Sequence, residues 1–411
     1  MERFTARRIE AVIKVTERCN TNCTYCYVFN KGNEDFRNRP VYLKPSVIPE
    51  ITDYLRQGMQ ELQAEQASVV FHGGEPLMLK RTDFDIFCSE LRRHIPKLTL
   101  GVQTNAMLVD DAWIELFHKH QIHVGVSIDG DKPFHDQFRI DHRGRGTYDR
   151  VLTGIRRLQA AAAQQYIPEP GAICVINPEA DGAATYRHFV DALGFRSLSF
   201  HLPMDTYETF GNADVTPYAR FLNDAFDQWV MDDDPGIYIR MFDQLLRFYH
   251  GKASSVLPSN GQQLSMQHVT ISTDGTIGID ELKPAPIPQD GFDVRTSTLH
   301  DFAGSDLARY MRDVYRSLPA GCADCPWKNY CGGGIQHGVQ VNRWSNSNGF
   351  DNASLLCDAL KDVYEHVASY AVRNGLAVDA LEHALINPSI TFLPSASLGM
   401  PPGLPTPSAI Q

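Results

Sequence analysis

From residue 11 to about 202 this chain alternates short β-rich runs with amphipathic helical stretches, and six repetitions of that unit leave few folds open to it. Strands are predicted over 11–16, 68–72, 98–103, 123–129, 171–177 and 196–202. Helices are predicted between them over 46–64, 82–94, 110–119, 147–162 and 182–193. Parallel neighbours need long crossover connections, and those crossovers are right-handed. Six such units curl into a partial (β/α)6 barrel of the α/β class, with the loops gathered at the strand C-termini.

After Pro203 the rhythm changes to helices over 215–231 and 238–249, then to two strands over 268–273 and 276–281 around a hairpin-turn signal, Asp274-Gly275. A segment with four cysteines follows, loop-rich until a helix over 351–373 and another over 376–386. The expected organisation is a barrel over 1–205, a helical bridge over 206–265, a cysteine-bearing domain over 266–375, and a C-terminal helix and Pro/Ser-rich tail over 376–411. The tail from Pro388 has the composition of a disordered segment or of a strap that orders by docking.

Composition narrows the function classes. Thirty-eight Lys and Arg against 49 Asp and Glu give a net charge of -11, which offers no generic attraction for nucleic acid or anionic lipid. No apolar run approaches the roughly 18 residues of a membrane span, and Met1-Glu2-Arg3-Phe4 runs into charges where a signal peptide needs an apolar stretch. The expected location is the cytoplasm. Nine cysteines are too sparse for a disulfide scaffold in 411 residues, and their clustering points to metal or redox chemistry.

Cys19, Cys23 and Cys26 follow the first strand as CxxxCxxC. Three thiolates can hold a cubane of four irons and leave one iron open, whereas a structural zinc site wants four ligands. With an aromatic residue, Tyr25, before the third cysteine, and at the head of six β/α units, the motif closely resembles the radical S-adenosylmethionine (SAM) superfamily. The resemblance implies a [4Fe–4S] cluster whose open iron binds SAM. Gly73-Gly74-Glu75-Pro76, ending the second strand, resembles the turn that binds the amino group of SAM, with Glu75 as the acceptor. Gln103 and Asn105 end the third strand, Ser127 and Asp129 the fourth, and Val175 the fifth. The resemblance puts Ser127 at the ribose, Val175 near adenine and Arg139 at the SAM carboxylate, a task suited to a planar guanidinium.

Cys322, Cys325 and Cys331, with Cys357 later, form a second set of four. Four thiolates close a cubane completely and leave it an electron-transfer or structural role; by spacing alone a zinc ribbon competes, and the company of the first set favours iron and sulfur. The spacing resembles the SPASM domain of radical SAM enzymes that modify peptides. That domain normally carries two auxiliary clusters, but Ile335 and Asp280 stand where cysteines are expected, leaving one auxiliary [4Fe–4S] cluster. Phrases such as Leu202-Pro203-Met204-Asp205, Gly349-Phe350-Asp351-Asn352 and Ser354-Leu355-Leu356-Cys357 look like the cyclophane-forming peptide maturases. The resemblance spans about 10 to 373. Cys88 and Cys174 are expected to be small buried hydrophobes.

The resemblance implies an enzyme that cleaves SAM reductively, takes hydrogen from a β-carbon of a ribosomal precursor peptide, and joins that carbon to a nearby aromatic ring with loss of two hydrogens. Asp280 or Asp205 is expected to accept the proton released when the ring regains aromaticity. Expected partners are the precursor peptide and a reductant such as ferredoxin or flavodoxin, with the peptide leader bound by a separate leader-binding protein, by the C-terminal region or by the barrel itself; nucleic acid and membrane are not expected. The same cofactors could instead serve ether or thioether formation, epimerisation or side-chain oxidation. A sulfatase-type serine or cysteine oxidase is disfavoured by the absent second auxiliary site, and a zinc-stabilised binding protein is the alternative outside catalysis.

Overall fold

The structure, a computed structural model, describes residues 5–252, 263–279, 282–285, 287, 289, 291–334, 336, 340–387 and 393–394. In chain order the first elements are β1 (Thr5–Thr16), α1 (Ile48–Glu61), β2 (Gln66–Gly73), α2 (Arg81–His94), β3 (Leu98–Thr104), α3 (Asp111–His120) and β4 (Ile122–Ser127). They continue as α4 (Lys132–Phe138), α5 (Tyr148–Ala163), β5 (Gly171–Val175), α6 (Gly182–Arg187), β6 (Ser197–His201), α7 (Tyr207–Phe210) and α8 (Thr216–Asp232). Next come β7 (Tyr238–Ile239), α9 (Arg240–Tyr249), β8 (Gln263–Ile271), β9 (Ile277–Gly278), α10 (Leu299–Ala303) and α11 (Asp306–Arg316). The chain closes with β10 (Ser317–Leu318), α12 (Lys328–Cys331), α13 (Cys357–Arg373), α14 (Val378–Ile386) and β11 (Leu393–Pro394).

The contacts divide the described residues into two compact units, the first drawn from 1–173, 261–283 and 289–305, the second from 174–260, 284–288 and 306–411. In the first unit the strand order is β5-β4-β3-β2-β1-β8-β9, parallel from β5 through β8. Strands adjacent in space are adjacent in sequence from β1 to β5, each crossing over through a helix, which is the arrangement of a partial (β/α)6 barrel. The expected strands and helices of the barrel all form, with ends displaced by a few residues. β1 alone begins well early: Thr5 to Glu10 join it because β8 runs parallel beside them and β2 pairs with Arg8 to Glu10, with Ala11 opposite Val269 and Ile13 opposite Ile271 in β8.

β8 and β9 form the expected hairpin around Asp274-Gly275. Gly275 has φ +91, and Ser272 N–H donates to the Thr276 carbonyl at 2.9 Å. The core beneath this sheet is an aromatic stack running from β2 into its covering helices, with Phe71 4.8 Å from Phe84 and Phe84 edge-on to Trp113 at 5.2 Å. Cys88 on α2 is fully buried there.

In the second unit the end of β5 is bonded to β6 through Ile176 N–H and the His201 carbonyl at 2.9 Å, and β6 pairs in parallel with β7. Cys174 is buried on β5. The helices α8, α9 and α13 pack around Phe226, which lies 5.3 Å from Phe242 and 5.2 Å from Tyr370. The segment expected to be loop-rich contains α10 and α11 before its cysteines, and α13 starts at Cys357 rather than at 351. Thr298 begins α10 with a capping box to Asp301, a short-range signal the broad reading of this stretch passes over. β10 pairs in parallel with β11, so the chain beyond Pro388 contributes Leu393 and Pro394 to a short ladder.

Candidate active site and cluster pockets

In the first unit the loop after β1 carries Cys19, Cys23 and Cys26. Its shape comes from three attachments to the end of α4 and the segment after it: Asn22 N–H to the Ile140 carbonyl at 2.7 Å, Thr24 N–H to the Phe138 carbonyl at 3.0 Å, and the exposed His142 imidazole Nε2 to the Cys19 carbonyl at 2.8 Å. Asn30 closes the loop on its other side, its amide donating to the Cys23 carbonyl at 2.8 Å. The Thr21 hydroxyl lies 3.0 Å from Cys19 Sγ and 3.6 Å from Cys23 Sγ.

The Gly73-Gly74-Glu75-Pro76 turn lies directly against this loop. Gly74 N–H donates to the Thr16 carbonyl at 2.9 Å and Glu75 N–H to the Arg18 carbonyl at 2.8 Å. A side chain at Gly73, where φ is +132, would put Cβ 2.3 Å from the Thr16 oxygen. One at Gly74 would lie 1.9 Å from the Arg18 oxygen. The glycines thus permit contact between the turn and the cysteine loop. Glu75 is buried and already engaged: its carboxylate accepts from Leu77 N–H at 3.0 Å, Thr104 Oγ1 at 2.6 Å and Asn105 N–H at 2.8 Å. Three of about four acceptor sites on a carboxylate are therefore filled, leaving one for a ligand. Burial nevertheless pushes its pKa up to about 7. Pro76 opens a short 3-10 turn behind it.

Asn105 reaches from the end of β3 toward the same loop, donating to Asn20 Oδ1 at 2.7 Å with Cys19 Sγ 4.0 Å away. Gln103 and Ser127, on neighbouring strands, bond at 2.7 Å. Asp129 is buried and takes both Nε (2.7 Å) and a terminal nitrogen (3.1 Å) of Arg139. Tyr25 also donates to Asp129, and Arg139 lies 5.5 Å from the Tyr25 ring centre. The resemblance assigns Arg139 and Asp129 to SAM; the structure makes them partners of one another. Tyr25, Thr104 and His142 lack any assignment from sequence, because their bonds span 29 to 123 residues and no local pattern encodes such distances. Val175 ends β5 in the second unit, half-buried.

Asp205 is buried in the second unit and accepts from Thr209 Oγ1 at 2.8 Å, beside the capping box that starts α7. Its backbone N–H donates to Asn342 Oδ1 at 3.1 Å. Asp280, the other expected base, lies outside the described residues, as does Ile335.

Cys322, Cys325, Cys331 and Cys357 converge in the second unit. All four line one partly open cavity, with Trp327, Lys328, Gly333, Ser354, Lys361 and Tyr364 among the other walls. Three come from the 322–331 segment and the fourth from the first residue of α13. Gly332, Gly333 and Gly334 all have positive φ (57, 76 and 108), turning the chain away after the third ligand.

The donor chemistry fits iron–sulfur clusters at both places. Burial pushes the Cys19 and Cys331 thiols up to about 12 and Cys322 to about 11. Such thiols ionise readily only against a cationic centre, which releases their protons as it binds. Among the described residues no three His, Cys, Asp or Glu side chains are grouped tightly enough to grip a single metal ion. Also among the described residues, no helix is long and apolar enough to cross a membrane.

Comparison with known proteins agrees with this geometry. Residues 13–164 match the Radical SAM superfamily. The cysteine-type anaerobic sulfatase-maturating enzyme of Clostridium novyi (strain NT) is 24% identical over 372 residues, covering 85% of this chain and 92% of that one. The serine-type anaerobic sulfatase-maturating enzyme of Bacteroides thetaiotaomicron is 24% identical over 388 residues, covering 86% and 87%. In the solved structures, native anSMEcpe with bound AdoMet superposes with a TM-score of 0.72 at 22% identity, covering 89% of this chain and 99% of that one. The same protein is also known with AdoMet and the Cp18Cys peptide. The chain therefore carries a radical SAM domain, homologous to that of sulfatase-maturating enzymes, and is an enzyme of the radical SAM oxidoreductase type. The cofactors of such a domain are a [4Fe–4S] cluster and SAM.

Proposed function

We propose that this radical SAM enzyme modifies a ribosomally made precursor peptide, joining an aromatic ring to the β-carbon of a nearby residue with net loss of two hydrogens. The observation that carries the reading is the single four-cysteine cavity of the second unit. Of nine cysteines, three lie on the loop after β1, four line that cavity, and Cys88 and Cys174 are buried in α2 and β5. The chain thus has thiols for one auxiliary cluster and none for another, as the cyclophane resemblance requires.

Cys19, Cys23 and Cys26 would hold the first cluster, and Cys322, Cys325, Cys331 and Cys357 the auxiliary one. Gly73, Gly74, Glu75, Pro76, Gln103, Asn105, Ser127, Asp129, Arg139 and Val175 would seat SAM. Bound there, the cluster and SAM supply reductive cleavage of SAM and removal of hydrogen from an unactivated carbon. The protein's part is position and proton transfer. Glu75 fixes the ends of β2 and β3 against each other and keeps one acceptor site for an ammonium. Asp129 holds the Arg139 guanidinium by one edge, leaving other N–H groups for a carboxylate. Asp205 or Asp280 accepts the proton released from the ring, and the electron that leaves with it would pass to the auxiliary cluster held by Cys322, Cys325, Cys331 and Cys357. A ferredoxin or flavodoxin supplies electrons, a separate protein binds the peptide leader, and the reaction takes place in the cytoplasm.

The homology to sulfatase-maturating enzymes over 85% of the chain favours a second reading, oxidation of one serine or cysteine in a protein substrate. One experiment separates them. The short peptide encoded beside the gene is co-expressed anaerobically with the enzyme, and with a Cys19→Ala, Cys23→Ala, Cys26→Ala control. A crosslink shows as loss of two hydrogens, absent in the control, with fragmentation suppressed between the two joined residues. An aldehyde at a single residue, trapped by a hydrazide, establishes the second reading, and an unmodified mass overturns the first.

A further inference from the structure

Helix α13 brings three different functional groups to the four-cysteine cavity. Cys357, Lys361 and Tyr364 stand at i, i+4 and i+7, one face of an α-helix, and all three line that cavity. The Lys361 ammonium acts on the Cys357 sulfur as a neighbouring charge, and the Tyr364 hydroxyl hydrogen-bonds the Cys331 sulfur. The two groups differ in setting. Tyr364 is fully buried, its ring 5.6 Å from Trp327 and edge-on to Tyr330 at 5.3 Å, and its carbonyl accepts from the Tyr249 hydroxyl at 2.8 Å. The Lys361 side chain is 43% exposed at the rim, 3.5 Å from Asp358.

We propose that Lys361 and Tyr364 are positioning residues that set the reduction potential of the iron–sulfur cluster held by Cys322, Cys325, Cys331 and Cys357, a proposal that rests on the auxiliary-cluster reading above. Accepting an electron makes a thiolate-bound cluster more negative. Hydrogen bonds to its sulfurs, and a cation beside one of them, stabilise that reduced form and raise the potential. The Tyr364 bond acts in a low-dielectric interior and is insensitive to salt. The Lys361 charge is partly solvated and is screened as ionic strength rises.

The test uses the full chain carrying Cys19→Ala, Cys23→Ala and Cys26→Ala, reconstituted anaerobically, so that only the second set can hold iron. About four irons per chain are expected; an iron-free protein rejects the auxiliary-cluster reading and this proposal with it. With iron in place, the midpoint potential is read by EPR-monitored titration in three further variants. Lys361→Met and Tyr364→Phe are each expected to shift it downward at unchanged iron content, and Lys361→Arg to stay near the parent. The Lys361→Met shift shrinks at high salt while the Tyr364→Phe shift persists. Potentials equal to the parent in Lys361→Met and Tyr364→Phe at full iron content overturn the proposal, and so does loss of iron in both, which would make the two residues structural only.

Discussion

Arg139 and Asp129 meet edge to edge, Nε to Oδ2 at 2.7 Å and a terminal nitrogen to Oδ1 at 3.1 Å, with side-chain exposures of 10% and 1%. Burial alone would lower the Arg139 pKa, but the Asp129 carboxylate, together with Tyr25 and Cys23, outweighs burial and holds the guanidinium well above its ordinary value. The charge is therefore permanent and its plane fixed. Removing one partner of a buried pair leaves the other uncompensated, which costs about 3–5 kcal/mol. Asp129→Ala is expected to lower the urea midpoint by a corresponding amount. Arg139→Lys keeps the charge but loses the two-point contact, and is expected to weaken SAM binding at least tenfold in anaerobic equilibrium dialysis. Unchanged affinity in Arg139→Lys would remove Arg139 from the SAM site.

The contact between the Gly73-Gly74 turn and the cysteine loop gives a sharper prediction. A Cβ at Gly74 would lie 1.9 Å from the Arg18 oxygen and 2.8 Å from the Cys19 nitrogen, both backbone atoms that cannot yield independently. Gly74→Ala is expected to displace Cys19 and lose the first cluster while the second is retained, so iron content falls by about half with little change in far-ultraviolet circular dichroism. Full iron content in Gly74→Ala would show that the loop accommodates the methyl group.

The barrel's elements were legible in the sequence because each depends on local periodicity, and the cysteine sets because their spacing is short. What was hidden is nonlocal. Nothing in residues 5–10 announces a strand until β8, more than 250 residues later, lies beside them and β2 pairs with their C-terminal half. Glu75 reads as a ligand-binding acid, yet Thr104 and Asn105 take part of its capacity from another strand. The cavity's thiols were visible from spacing, but Lys361 and Tyr364 acquire meaning only once α13 is known to begin at Cys357. The helices α10 and α11 lie in a segment whose cysteine spacing points to loops, while the local signals for them are the Thr298 capping box and an apolar face.

His135 supplies a pH signature. It is fully buried: Asp129 N–H donates to its Nδ1 at 3.3 Å, so the neutral ring carries its proton on Nε2, which faces Thr147 Oγ1 at 3.0 Å. Thr147 in turn donates to the Arg139 carbonyl at 2.7 Å. Burial, reinforced by the Arg139 charge and opposed by Asp129 and Asp136, lowers the His135 pKa to about 4. The folded state therefore binds fewer protons than the unfolded chain. This contribution to stability is fully present above the ordinary histidine value near 6.5, and is lost as pH falls from there to about 4, on the order of 3 kcal/mol in all. Chemical denaturation at pH 7 and pH 5 is expected to show a smaller pH-dependent loss in His135→Gln than in the parent. Parallel losses in the two proteins would mean that His135 does not carry this dependence.

Arg343 is a second buried cation, and it is bound differently from Arg139. Its side chain donates to the Phe350 carbonyl at 2.7 and 3.0 Å, to the Asn352 carbonyl at 3.2 Å and to the Val314 carbonyl at 3.2 Å. Burial lowers its pKa to about 10, which leaves it charged at neutral pH. These bonds tie the chain from 350 to 352 to the end of α11, and Ala353 and Ser354, the next residues, line the cysteine cavity. A guanidinium can serve three carbonyls at once because its donors are fixed in a plane; a lysine ammonium at the end of a flexible stem cannot reproduce that spread. Arg343→Met leaves buried carbonyl oxygens without their donor, at about 1–3 kcal/mol for each group left unsatisfied. The expected result is a urea midpoint far below the parent's and loss of the second set's iron, whereas the first set keeps its own. Arg343→Lys is expected to recover only part of the stability, and a substitution at exposed Arg143 to stay within about 0.5 kcal/mol of the parent. Equal stability in Arg343→Met and the parent would show that this loop is held by other contacts.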